Sequence, residues 1–271
     1  MPFELKDKVL EDVVSIVIRA GELVVEGQED LKVVANQGSL HPTTDLDRKV
    51  DRFLFDNLPN VFPDPSMVAY FTEERVDDPA RLEKDWVLIV DPIDGTRSLL
   101  QGQKEAVVSV AIVKGNTLVF GVIVNPFTGE RFVAELGKGS FLGSQRLQVS
   151  KIDQIEQAKL FLSRTECERG LWKFLEGRVK FTAVGSIAYK MVLIASGKAE
   201  GTVTVNKRHQ WDVAGATLIV TEAQGMVSDS FGHPLVFNQA SPEFPGIIAS
   251  NRLLHDAFLD IAVEARRFQG V

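Results

Sequence analysis

The segment Trp86-Val87-Leu88-Ile89-Val90-Asp91-Pro92-Ile93-Asp94-Gly95-Thr96 constrains the chain more than any other. A β-branched, apolar run delivers two carboxylates, three residues apart, to the end of a strand, the place where an α/β protein usually puts a metal. Pro92 fixes one backbone angle between them, Gly95 permits a turn most side chains forbid, and Thr96 stands where a following helix exposes free N–H groups. Ligands for a cation and a cradle for an anion thus lie close together, an arrangement suited to a phosphate group. On these residues alone Asp91 and Asp94 serve equally well as a helix N-cap and a turn residue, and other segments must decide.

The chain of 271 residues, 45% hydrophobic, builds one large domain or two closely packed halves. A formal net charge of −7 argues against a nucleic-acid polymer as partner, which would require Lys and Arg clustered on one face. A small, metal-bridged phosphate is the better match. Cys167 is the single cysteine, so neither an intrachain disulfide nor a Cys-rich zinc site is available, and a cytoplasmic location is expected. Charges interrupt the opening residues, and no apolar run approaches membrane-spanning length, so neither a signal segment nor membrane association is expected.

Apolar periodicity predicts a helix from Phe3 to about Glu26 and a second opening at Thr43-Thr44-Asp45, with Val50, Phe53, Leu54 and Leu58 on one stripe and Pro59 at its end. Strands follow at Met67 to Phe71 and Trp86 to Val90, separated by a charged loop, Glu74 to Lys84, that is a candidate lid. A hairpin joins Val107–Lys114 to Thr117–Asn125 across Gly115-Asn116, and Arg131 to Glu135 reads as a further strand. Residues 1–150 therefore read as helices against a mostly antiparallel sheet. From 151 to 271 strands alternate with helices: Phe161 to Ser163, a helix near Glu168 to Leu175, Val179 to Val184, a helix from Gly185-Ser186 through Ala195, a strand from Gly201 to Val205, and a helix from Trp211-Asp212. Ala214, Gly215 and Ala216 in that last helix allow close packing. Gly246 to Ala249 is the final strand, and Asn251-Arg252 opens the closing helix. The fold class is α/β, layered, with a mixed sheet in the second part.

Further carboxylates are available. Glu73-Glu74 follow the strand from Met67, while Asp45 and Asp212 each begin a helix, where a carboxylate either caps its own helix or reaches a cation. In order, Glu73-Glu74, Asp91-Pro92-Ile93-Asp94-Gly95-Thr96 and Trp211-Asp212-Val213-Ala214-Gly215 resemble the inositol monophosphatase superfamily of magnesium-dependent, often lithium-sensitive phosphomonoesterases. The resemblance runs from the first helix to the last. Arg97, where a second Thr is common, and Gln224-Gly225, where a Gly-Gly pair is common, depart from the pattern without removing a ligand.

The resemblance implies an αβαβα sandwich and a homodimer. It also implies two or three Mg2+ ions, one held by Glu73, Asp91 and the Ile93 carbonyl, another by Asp91, Asp94 and Asp212, with Glu74 in support or on a weaker third ion. Asp45 with Thr96, beside Glu73, is the implied pair that orients and deprotonates water, and Gly95 and Thr96 N–H groups would take phosphate oxygens. Gly185, Ser186, Lys190 and His209 complete the implied substrate site with Asp94 and Asp212.

Inositol-preferring members carry an acidic residue seven positions before the Trp-Asp aspartate; here that position is Val205, which accepts no hydrogen bond from a ring hydroxyl. Lys190, Glu105 and the Asn206-Lys207-Arg208-His209-Gln210 segment look more like the 3'(2'),5'-bisphosphate nucleotidase branch. The expected reaction is therefore hydrolysis of 3'-phosphoadenosine 5'-phosphate to AMP and phosphate. The alternatives are an inositol-1-monophosphatase, a sugar bisphosphatase, and a metal- or phosphate-binding regulator without turnover. A serine hydrolase is disfavoured because no G-x-S-x-G elbow occurs.

Overall fold

The computed structural model describes residues 5–36 and 42–270. Helix α1, Asp7–Gly27, buries Leu10, Val13, Val17, Ala20 and Val24, the stripe its spacing predicts; the Phe3 start lies outside the described residues. Helix α2, Asp45–Asn57, starts from Thr44, which with Asp47 forms a capping box, and buries Leu46, Val50 and Leu54. Both helices pack on one face of a seven-stranded sheet, where their apolar stripes meet Leu88, Val90, Val110, Ile112 and Val122.

That sheet runs in the order Val68–Thr72, Trp86–Asp94, Val107–Lys114, Thr117–Asn125, Glu130–Glu135, Gly139–Leu142 and Gln145–Arg146. Its first two strands are parallel and every later pair is antiparallel. Between the second strand and the next element lies the short helix α3, Thr96–Leu100.

The second sheet is mixed. Lys159–Ser163 lies parallel to both Lys180–Val184 and Gly201–Thr204, whereas Ile247–Ser250 is antiparallel to Gly201–Thr204 and to Met226–Ser228. Helix α4, Arg164–Glu168, leaves the end of the Lys159–Ser163 strand, and α5, Ile187–Ala195, and α6, Gln210–Glu222, fill the space between the two sheets. Helix α7, His255–Gln269, covers the outer face of the second sheet with Phe258, Ile261 and Ala262. The layers are α1 and α2, sheet, α5 and α6, sheet, α7, the αβαβα order implied by the resemblance. Helix α6 reaches the first sheet because Gly215 faces Gly121: a Cβ on Gly121 would stand 2.6 Å from the Gly215 carbonyl oxygen.

Several local expectations are corrected. The helix expected near Glu168 to Leu175 is instead α4 followed by a 3-10 turn at Lys173–Leu175, because Gly170 adopts φ +72° and breaks the run. The closing helix starts at His255 rather than Asn251-Arg252, since Arg252 has φ +71°, outside the helical region. The loop from Glu74 to Lys84 is anchored at its centre. Arg81 is buried, donates to Asp77, Asn238 and the Gln239 carbonyl, and lies over the Phe71 ring at 4.1 Å, which opposes movement of the whole loop as a lid. Among the described residues no helix is long and apolar enough to cross a membrane.

Candidate active site

A β-bulge builds the floor of the site. Asp91 pairs with Ser109 and Asp94 with Val107, so three steps on one strand oppose two on the other and Pro92 and Ile93 are displaced from the regular ladder. Pro92 has no N–H to lose there, and the Ile93 N–H donates to Asp91 Oδ1 at 3.1 Å. The bulge brings both Asp91 and Asp94 to a single cleft lined also by Glu73, Ile93, Gly95, Thr96, Gly185, Ser186, Lys190 and Asp212. Gly95 turns the chain into α3 with φ +102°, a conformation that suits glycine.

The two sheets are tied together at this cleft. Asp94 Oδ2 accepts from the Ser186 hydroxyl at 2.5 Å and the Ala188 N–H at 2.6 Å, fixing the start of α5. Ser186 holds φ 53° and its oxygen in turn accepts the Tyr189 N–H at 2.8 Å, as N-cap. Gly185 donates its N–H to Glu105 Oε2 at 2.6 Å, and a Cβ at this position would collide with the Ser98 hydroxyl, so no larger residue fits. Asp212 serves twice: Oδ2 accepts the His209 N–H at 2.9 Å as part of a capping box for α6, and the side chain lines the cleft.

Two sequence expectations are overturned. Asp45 does not meet Thr96. It is exposed at the first turn of α2 and accepts the Lys32 N–H at 3.0 Å, whereas Asp47, buried one turn face away, has Oδ1 2.7 Å from Thr96 Oγ1. The reason is the capping box, which turns the third helical residue inward over Thr44 and leaves the first in solvent. Thr96 Oγ1 also lies 3.0 Å from the Ile93 carbonyl, but a hydroxyl has one proton, and the shorter contact to a carboxylate takes it. His209 is not among the cleft residues; its ring stacks on Trp211 with centroids 4.5 Å apart and an 8° interplanar angle.

Other cleft residues were not singled out as binding groups in the sequence. Ser163, Arg164 and Thr165 stand at the carboxyl end of a strand that runs parallel to two neighbours, the general location of ligand sites in such sheets, and that was the available signal. Arg97, Gln101 and Arg208 join them. Glu105 lies outside the cleft lining and braces it, with Oε1 accepting from Arg164 Nη2 at 2.6 Å. Val205 packs into the core beneath α7 rather than facing substrate.

The carboxylates crowd one another in this largely buried cleft. Burial, then the charges of Glu73, Asp94 and Asp212, holds the Asp91 carboxyl well above its ordinary range. Glu73 is raised by burial and by Asp212, and Asp94 by burial against the opposing Ser186 and Ala188 donors. Burial and Asp94 push Asp212 to about 7, and burial with Asp47 and Asp51 pushes Glu74, which stands behind the cleft, also to about 7. Burial raises Asp47 as well, although its Thr44 and Thr96 hydrogen bonds oppose the shift.

Hard oxygen donors of this kind fit Mg2+, which keeps several waters and needs only one or two carboxylates plus substrate oxygens rather than an all-protein cage. Among the described residues no group of three or more Asp, Glu, His or Cys side chains is already gathered so as to hold a metal ion. Carboxylates raised in the folded state are neutral at low pH at no cost and must ionise against one another as pH rises, so the metal-free protein loses stability between about pH 4 and 7. Mg2+ offsets the repulsion. The expected result is a thermal midpoint that Mg2+ raises by at least about 4 °C more at pH 8 than at pH 5, about the shift that 1–2 kcal/mol produces at this size. Differential scanning fluorimetry at the two pH values checks it, and an equal shift at both would show that the cluster does not take up the cation.

On the opposite wall, Lys190 is buried, with Nζ 3.4 Å from the Val184 carbonyl; burial and then Arg208 push its pKa down to about 8. Arg208 Nη2 lies 3.3 Å from Glu166 Oε1.

Comparison with known proteins identifies the family and the fold. The model of the inositol monophosphatase family matches residues 5–267. Inositol monophosphatase 1 of Homo sapiens is 30% identical over 254 residues, with 89% of each chain covered. The fructose-1,6-bisphosphatase/inositol-1-monophosphatase of Thermotoga maritima is 31% identical over 226 residues, covering 82% of each chain. Among solved structures, an IMPase of Thermotoga maritima superposes with a TM-score of 0.84 at 26% identity, covering 95% of this chain and 98% of that one. The extragenic suppressor protein suhB of Bartonella henselae gives 0.79 at 26% identity, with 96% and 97% covered. The chain belongs to the inositol monophosphatase family.

Proposed function

We propose that this protein is a Mg2+-dependent phosphomonoesterase whose preferred substrate carries a second phosphate, 3'-phosphoadenosine 5'-phosphate being the first to test. The observation that carries the reading is the meeting, in the lining of one cleft, of Glu73, Asp91, Asp94 and Asp212 with Arg97, Arg164, Lys190 and Arg208. The acidic residues suit the cation, and the basic residues suit an anionic group that is not hydrolysed.

Glu73, Asp91, the Ile93 carbonyl, Asp94 and Asp212 would hold Mg2+, which when bound supplies Lewis acidity and lowers the pKa of water. Asp47 takes the Thr96 proton in its hydrogen bond, so the Thr96 oxygen is left to accept one from water. As that water attacks phosphorus, its proton passes to Thr96 Oγ1 while the Thr96 proton moves to Asp47 Oδ1, whose burial favours the protonated form. Gly95 and Thr96 N–H groups, at the start of α3, hold phosphate oxygens in line with the leaving oxygen. No phosphoenzyme is needed. The ester bond breaks as the water oxygen bonds to phosphorus, and the leaving oxygen takes a proton from solvent, giving an alcohol and inorganic phosphate.

Lys190 would contact the retained phosphate. A second reading, inositol 1-phosphate or fructose 1,6-bisphosphate as substrate, is favoured by the names of the relatives from Homo sapiens and Thermotoga maritima. The test is phosphate release from 3'-phosphoadenosine 5'-phosphate, fructose 1,6-bisphosphate and inositol 1-phosphate. The expected order puts the nucleotide first by at least about tenfold in kcat/KM, the scale on which unmet polar contacts separate substrates. Preference for inositol 1-phosphate would overturn the substrate assignment and leave the hydrolytic reading standing.

A further inference from the structure

Arg208 sits on the cleft because of a buried network that faces away from it. Glu166 is 3% exposed, yet every oxygen is engaged: Oε2 accepts the Trp172 indole N–H at 3.0 Å, and Oε1 accepts from the Thr204 hydroxyl and the Asn206 amide, each at 2.7 Å. Arg208 Nη2 completes the set at 3.3 Å from Oε1 and 3.4 Å from Thr204 Oγ1, while Nη1 donates to the Lys207 carbonyl at 3.0 Å. A carboxylate so fully held is a fixed anchor, because rotating it would break hydrogen bonds inside a low-dielectric interior.

The second guanidinium on this wall is built the same way. Arg164 Nη2 donates to Glu105 Oε1 at 2.6 Å and lies 3.2 Å from the Ala183 carbonyl, and Glu105 is itself pinned by the Gly185 N–H. In each case a buried or half-buried carboxylate holds in place a guanidinium whose side chain lines the cleft. The Nε atoms of both Arg164 and Arg208 are buried with no hydrogen-bond partner among the described residues, unlike their Nη2 atoms. Positive charge is thus concentrated here in a chain whose net charge is −7.

We propose that Arg208, oriented by Glu166, and Arg164, oriented by Glu105, form the subsite for the anionic group that is not hydrolysed and set the preference for doubly over singly phosphorylated esters. The proposal rests on the phosphomonoesterase reading for its kinetic form. Glu166 acts as a positioning residue, since it touches Arg208 and not the ligand. The planar guanidinium suits a phosphate in two-pronged contact, so Lys at 208 would restore only part of the effect.

The test is the ratio of kcat/KM for the better bisphosphate of the panel to that for inositol 1-phosphate, in wild type, Arg208→Gln, Arg208→Lys and Glu166→Gln. The ratio is expected to fall by at least about tenfold in Arg208→Gln, the contribution of one charge-assisted hydrogen bond. The change should appear in KM for the bisphosphate. Glu166→Gln should move the ratio in the same direction, and Arg208→Lys should recover part of it. A ratio unchanged in Arg208→Gln overturns the proposal; Arg208 is partly exposed, so this variant tests it even if Glu166→Gln fails to fold. If the wild type releases phosphate from none of the esters, the enzymatic reading falls and the subsite is judged by calorimetric binding of fructose 1,6-bisphosphate. Binding at least about tenfold weaker in Arg208→Gln then supports it, and equal binding or none to the wild type overturns it.

Discussion

Asp91→Asn is expected to reduce magnesium-dependent phosphate release by more than about 100-fold, beyond the range seen when a group supporting a metal ligand is lost. Asp91 is 2% exposed and lies at the centre of the acidic cluster, where its charge interacts with Glu73, Asp94 and Asp212 together. Asparagine keeps the shape and the acceptor for the Ile93 N–H but removes one negative charge from the centre of the carboxylates that would hold Mg2+. The same change relieves repulsion in the metal-free protein, so Asp91→Asn should be no less stable than wild type without Mg2+ and should gain less on its addition. Steady-state rates together with thermal midpoints, with and without Mg2+, separate loss of function from loss of fold. Retention of a tenth of wild-type activity would remove Asp91 from the role of bridging ligand.

The pair Asp47→Asn and Asp45→Asn gives the second large contrast. Asp47→Asn should lower kcat by about 10²–10⁴, the usual contribution of a positioned proton acceptor, because asparagine can hold the Thr96 hydroxyl but cannot take its proton. Asp45→Asn should stay within about threefold of wild type, in keeping with an exposed side chain whose partner is the Lys32 N–H. Measuring kcat for both at saturating Mg2+ decides between them. Equal losses would contradict the assignment drawn from the Thr96 contact.

That contrast also shows what the amino-acid order conveys and what it does not. The helix start at Thr44 was legible, but the first and third helical residues are both aspartate, and only the capping geometry says which one turns inward. The Asp91 to Thr96 segment was legible as a strand end turning into a helix because its geometry is local, down to the glycine that turns into α3. The apolar stripes of α1 and α2 and the hairpin across Gly115-Asn116 were legible for the same reason. By contrast, the basic lining of Arg97, Arg164, Lys190 and Arg208 comes from four separate elements, and of these only Lys190 and the segment holding Arg208 stood out in the sequence. Glu105 reaches Arg164 and Gly185 from a distant part of the chain, and no pattern near Glu105 announces either partner. His209, implied by the resemblance to be a substrate-site residue, instead stacks on Trp211, a contact that no local pattern announces.

The most direct test of the central claim is phosphate release from the three esters by the wild-type protein, with Mg2+ varied from none, in excess chelator, to saturation. The account predicts no release in chelator, a rate that rises with Mg2+ to a plateau, and recovery when Mg2+ is returned to the chelated protein. Release that persists undiminished in chelator, or none at any Mg2+ concentration, would contradict it.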